Sequence, residues 1–150
     1  MSTEDLYREV ILDHYRRPRH EGRLDHPDAH AEGENPLCGD EIAVDLVVDD
    51  DDRVIEIAIK GQGCSISQAS ASMMAVAVKG KTIPEIREMA GKFRLMMGID
   101  EGDDPTEGSP PGAVLGDLEA LQGVRKFPVR IKCAALPWTT LEEAFASLDG

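Results

Sequence analysis

The sequence predicts an α+β fold: a small antiparallel three-stranded sheet packed against several helices. Three observations predict it. Apolar residues alternate at Ile42, Val44, Leu46 and Val48, and again, less strictly, at Val54, Ile55, Ile57 and Ile59, on either side of the run Asp49-Asp50-Asp51-Asp52. Alternation puts one face of each segment toward a core, so the pair reads as a β-hairpin around an acidic turn. Helical spacing governs the chain before the hairpin and most of it after.

The elements follow in order. Ser2 or Thr3 can cap a first helix running to about Arg17, where Leu6, Tyr7, Val10, Ile11, His14 and Tyr15 form one stripe and Pro18 ends it. The stretch 20–36 is polar and broken by Gly22, Pro27, Gly33 and Pro36, with a short strand expected near residues 29–32. The Asp run is a solvated turn, because it lacks the Gly and terminal Glu of a calcium loop. After Gly61-Gln62-Gly63, a helix rich in small residues is expected over 65–79, closed by Gly80. Thr82-Ile83-Pro84-Glu85 has the form of a capping box with an early proline, opening a helix whose apolar face runs from Ile83 to Met97. Residues 98–112 are acidic and rich in Gly and Pro, and read as a flexible insertion. Short helices are expected over 114–122 and from Pro128 through Cys133. Pro137 is then expected to interrupt, and Thr140 with Glu143 to cap a last helix.

Composition narrows the function. The 150 residues suit one domain, 1–150, with its own core, and aromatics at 4% leave that core to aliphatic residues and Met. No apolar run approaches the ~20 residues of a membrane span, and the acidic start lacks the features of a secretory signal. The protein is therefore expected in the cytoplasm. A net charge of -13 argues against nucleic acid or an anionic membrane as partner. Solubility, adaptation to high salt and a basic protein partner all remain compatible with that acidity.

The chemistry lies in three cysteines, an odd number that cannot pair fully within the chain. In Cys38-Gly39-Asp40, a thiol and a carboxylate two residues apart point the same way on an extended backbone, so both can reach one ion. Cys64 stands between a glycine turn and a helix start, where unpaired N–H groups favour a thiolate. Cys133 lies beside Arg130 and Lys132, and nearby cations are expected to favour a thiolate there too. Three thiolates and one carboxylate would fill a tetrahedral zinc site, with Arg130 and Lys132 offsetting its negative charge. Spacing alone also allows the rival reading of buried structural cysteines. The four histidines, 14, 20, 26 and 30, all precede Cys38 and read as surface or helix-packing residues.

Several segments together carry a resemblance: Leu6-Tyr7-Arg8, Asp13-His14-Tyr15-Arg16-Arg17-Pro18-Arg19, Asn35-Pro36-Leu37-Cys38-Gly39-Asp40, Gly61-Gln62-Gly63-Cys64-Ser65, Leu115-Gly116-Asp117-Leu118 and Phe127-Pro128-Val129-Arg130-Ile131-Lys132-Cys133. They resemble the SufU branch of the IscU/NifU-like iron–sulfur assembly proteins, over nearly the whole chain. Two features favour that branch over the IscU scaffolds: Lys132 stands where the scaffolds carry a histidine, and residues 97–122 fit an insertion between the second and third cysteines. The resemblance implies an IscU/NifU-N-like fold and a zinc-bound sulfur carrier. Its metal ligands would be Cys38, Asp40, Cys64 and Cys133, with Cys38 as the mobile acceptor. It also implies a SufS-type cysteine desulfurase as sulfur donor and the SufBCD complex as recipient. The alternative is a scaffold on which an Fe–S cluster is built on the same ligands.

Overall fold

A computed structural model describes residues 3–149. Helix α1 spans Thr3–Arg16 and is followed by strands β1 (Ala29–Asn35), β2 (Asp40–Val48) and β3 (Val54–Gln62). Then come α2 (Ser65–Val78), α3 (Ile83–Met96), a 3-10 helix over Gly116–Lys126, and α4 (Pro128–Asp149). Of the two caps expected for α1, Ser2 lies outside the described residues.

The strands form one antiparallel sheet in the order β1-β2-β3, with Asn35 opposite Asp40 at one end and Glu41 opposite Gln62. The hairpin is as expected. Ile42, Val44 and Leu46 are buried on one face, and Asp49 Oδ1 accepts from the Asp51 and Arg53 N–H groups to close the acidic turn. β1 is longer than the segment read from the sequence. Its outward residues His30, Glu32 and Glu34 are polar, so hydropathy did not mark it, and backbone pairing with β2 decides it.

Helix α4 covers β1 and β2, and α2 covers β3, so the core lies between the sheet and these helices. Gly33 lets α4 approach β1, because a side chain there would collide with Thr140. The box opening α3 forms as expected: Thr82 Oγ1 accepts from the Glu85 N–H, and the Glu85 carboxylate accepts from the Thr82 N–H.

Three expectations need correction. Pro137 does not break the last helix; α4 runs through it. Its ring removes one intrahelical bond, but Ala134, Trp138, Leu141, Ala144 and Phe145 are buried along the same helix and hold it together. Thr140 accordingly does not cap; its hydroxyl donates to the Leu136 carbonyl at 2.8 Å. The short helix after the insertion is of the tighter 3-10 type and reaches Lys126. Gly116 and Gly123 weaken α-helical preference there, while Leu118, Leu121 and Val124 are still buried. The insertion itself has neither helix nor strand but is fastened. Thr106 is buried and accepts from Gln122 Nε2 at 2.8 Å, and Arg125 lies 3.5 Å from Asp104.

Candidate metal centre

One end of the β1–β2 hairpin, the start of α2 and the first turns of α4 meet at a single point. The turn between Asn35 and Asp40 carries Cys38, held by a bond from the Cys38 N–H to the Asn35 carbonyl at 3.2 Å. Asp40 opens β2 and is buried. Its Oδ1 accepts from the Cys64 N–H at 2.8 Å, and its Oδ2 stands 3.8 Å from Cys64 Sγ. Gly63 permits this approach. Its φ of 143° lies in glycine's territory, and an added Cβ would collide with Asp40 Oδ1 and come within 2.8 Å of Asp40 Cα.

Cys133 projects from α4 and is buried, with its sulfur 3.3 Å from Cys38 Sγ. Donor atoms of Cys38, Asp40 and Cys133 all lie within 4.8 Å of one another. Cys64 joins this group through Asp40. It occupies the N-cap position of α2, in extended conformation, as the sequence suggested. Three of the four expected residues, Cys38, Asp40 and Cys133, share one cluster, and Cys64 stands beside it on the wall of the same cavity.

The two cations expected to assist are treated differently. Arg130 is exposed and lines the cavity over the thiols, while Lys132 is exposed and is not among the cavity-lining residues. Nor do they make Cys133 a thiolate by themselves. Burial, followed by the neighbouring Cys38, Asp40 and Cys64 groups, pushes the Cys133 thiol far above its ordinary value. What would reverse that balance is a divalent cation among the donors.

The cavity holds about 500 Å³ and is lined by Cys38, Cys64 and Cys133 on one side and by residues 126–130 on the other. Phe127 and Val129 are 57% and 62% exposed, and Leu37 beside Cys38 is 73% exposed, so the thiols sit beneath an apolar rim. A larger depression of about 640 Å³ lies on the outer face of the sheet, lined by Arg23, Glu32, Glu41 and Lys60 among others, and contains no thiol. We place the chemistry in the smaller cavity, where the nucleophiles are.

Sequence reasoning missed four contributors. Asn35 stands out in the sequence only as part of the Asn35–Asp40 segment, yet its side-chain amide donates toward Cys133 Sγ at 3.8 Å. Gly63 was read as punctuation, although its lack of a side chain admits Asp40; the Gly-x-Gly spacing was the available signal. Phe127 and Val129 alternate with Pro128 and Arg130 and carried no distinguishing periodicity.

Residues 6–134 match the model of the NifU-like N terminal domain. The chain belongs to that family. It is 47% identical to the zinc-dependent sulfurtransferase SufU of Bacillus subtilis, over 99% of this chain and 95% of that protein. It is 44% identical to the iron–sulfur cluster assembly scaffold protein IscU of Streptococcus pyogenes, over 93% of this chain and 82% of that one. Among solved structures, an iron–sulfur cluster assembly scaffold protein of the SUF system from Fervidobacterium islandicum superposes with a TM-score of 0.80 at 34% identity, covering 95% of this chain and 98% of that chain. The N-terminal part of a NifU-like protein from Brucella abortus does so with a TM-score of 0.80 at 26% identity, covering 97% and 96%. These likenesses bear out the α+β expectation and the IscU/NifU-like resemblance.

Proposed function

We propose that this chain is a SufU-type zinc-dependent sulfurtransferase in iron–sulfur cluster assembly, acting in the cytoplasm. Its metal ligands in this reading are Cys38, Asp40, Cys64 and Cys133. The observation that carries the reading is the convergence of three thiols and one carboxylate under an open, apolar-rimmed cavity. Zinc accepts this donor set: bonds of roughly 2.3 Å to sulfur put tetrahedral neighbours roughly 3.8 Å apart. The sulfurs of Cys38 and Cys133 stand 3.3 Å apart, close to that spacing. When bound, zinc would hold the thiolates deprotonated at neutral pH without redox chemistry of its own.

The residues divide the work. Cys133 is buried and Asp40 is buried, whereas Cys38 is half-buried in a turn that lines the cavity. Cys38 Sγ attacks the outer sulfur of a persulfide presented at the rim. The S–S bond of the donor breaks, the donor cysteine leaves as a thiolate, and a persulfide forms on Cys38. No external oxidant or reductant is consumed. The rim residues Leu37, Phe127 and Val129 exclude water around the reacting sulfurs and give the donor an apolar face to seat on. The donor is a SufS-type cysteine desulfurase and the recipient the SufBCD complex.

Lys132, where scaffolds of the family carry a histidine, favours transfer over cluster building, since a protonated lysine does not ligate. The test is to purify the chain, measure its metal content, and add it to a cysteine desulfurase. Bound zinc with faster desulfurase turnover supports the proposal. A reconstituted cluster handed to an apo-acceptor, with no stimulation, supports the scaffold reading instead.

A further inference from the structure

We infer that Asn35 is a positioning residue that fixes Cys133 in place, so that sulfur is accepted by Cys38 and not by its neighbour. The inference rests on the zinc reading above and deepens it. The two sulfurs lie 3.3 Å apart and share one cavity, so proximity alone does not choose between them. Their polar surroundings differ. The Asn35 side-chain amide donates toward Cys133 Sγ at 3.8 Å, and Asn35 is itself buried. A buried amide donor aimed at sulfur is matched to a thiolate, which can only accept. Cys133 is buried, whereas Cys38 is half-buried, its sulfur facing that of Cys133 and its N–H donating to the Asn35 carbonyl.

Asn35 thus acts on both cysteines from one position. It ends β1 directly opposite Asp40, so the sheet sets its location. Its carbonyl closes the turn that carries Cys38, and its amide reaches across to α4. An N–H donor withdraws charge from a thiolate, lowering its nucleophilicity while holding its direction. Cys133 becomes the poorer attacker and the better-anchored ligand, which leaves the attack to the more exposed Cys38.

Asn35→Leu keeps the branched outline of the side chain, at somewhat larger volume, and removes the donor. In the zinc-loaded chain, the variant is expected to lose zinc to a competing chelator about tenfold more readily, in the range seen when partners of metal ligands are removed. With cobalt substituted for zinc, the thiolate-to-cobalt absorption band should move to longer wavelength. After reaction with a desulfurase and cysteine, peptide mapping should find persulfide on Cys38 alone in the unmutated chain and on both Cys38 and Cys133 in the variant. A merely structural Asn35 would alter stability but move neither the band nor the persulfide distribution, and that result overturns the inference. A measurement on the unmutated chain covers failure of the variant to fold: one Asn35 side-chain proton should shift downfield and exchange slowly on zinc loading. An amide proton unaffected by zinc likewise overturns it. Failure of the zinc reading itself looks different: the unmutated chain would bind no zinc or carry no persulfide on Cys38.

Discussion

At the scale of single residues, burial and backbone setting separate cysteines that the sequence presents as equals. Cys64 opens α2 with its sulfur 3.8 Å from Asp40 Oδ2, so replacing it takes a donor atom from beside a second proposed ligand. Cys38 occupies a turn with Leu37 and Gly39 exposed on either side. Cys38→Ser should therefore retain zinc-dependent folding better than Cys64→Ser, yet accept no sulfur; thermal melts with and without zinc, plus a persulfide assay, check both halves. Normal sulfur acceptance by Cys38→Ser would sink the assignment. Gly63→Ala tests the other half of the site. The new methyl collides with Asp40 Oδ1, and the φ of 143° is unfavourable to alanine. Asp40 must shift, and zinc affinity measured by chelator competition should fall by tenfold or more. Affinity equal to the unmutated chain would mean that Asp40 is not a ligand. The four proposed ligand positions could be nominated from the sequence because chemistry-bearing residue types are few. Asn35 and Gly63 were not, because what they do depends on which residues the fold brings opposite them.

At the scale of elements, local signals held wherever the chain decides its own conformation. The α3 capping box was readable from Thr82 to Glu85 because both groups lie within one turn. Thr82→Ala should cost about 1 kcal/mol, the ordinary price of a lost cap. For a chain of this size that lowers the melting temperature by roughly 2–4 °C. Zinc affinity should not change, since α3 supplies no residue to the cavity. Differential scanning calorimetry with a parallel zinc titration checks this; a loss of zinc binding would tie α3 to the site. Local signals failed at α4. Pro137 and the Thr140/Glu143 pair imitate a break and a restart, but packing of Trp138 against Phe93, with ring centroids 5.2 Å apart, belongs to a helix that does not stop. A similar long-range tie sets α1. His14 reads as one more helix-packing residue, yet Nδ1 meets Ser72 of α2 and Nε2 meets Asp117 of the 3-10 helix, each at 2.8 Å.

At the scale of the whole molecule, the fold class followed from alternation and helical periodicity, while the way the polar segment before β1 is fastened to the sheet did not. Asp45 falls among apolar residues of β2 but on the outer face, and nothing in the sequence marks it as a tie point. It is fully buried. Arg23 Nε donates to Asp45 Oδ2 at 2.7 Å, the Leu24 N–H to the same oxygen at 3.1 Å, and His30 Nδ1 lies 2.5 Å from Oδ1. His30 Nε2 meets Glu32 at 2.9 Å, so both ring nitrogens face carboxylates, and only the protonated ring donates from both. Hydrogen bonds to Glu32 and then Asp45 raise the His30 pKa, against burial and the nearby Arg23 charge. Burial opposes ionisation of Asp45, but the bonds from Arg23, His30 and the Leu24 N–H outweigh it and lower that pKa. The two shifts set opposite limits. The His30 contribution is complete below its ordinary value of 6.5 and is lost as pH rises through its raised value in the folded state. The Asp45 contribution is complete above its ordinary value of 3.8 and is lost as pH falls through its lowered value. Between those limits the segment holding Arg23 is fastened most firmly. His30→Gln removes the upper limit: the difference in unfolding free energy between the two proteins should be largest near pH 6 and shrink as pH rises through the raised His30 value. Urea unfolding of both proteins from pH 5 to 9 measures that difference. A gap that stays constant with pH would show that His30 is neutral in the folded protein and that Arg23 and the Leu24 N–H secure Asp45 without its charge.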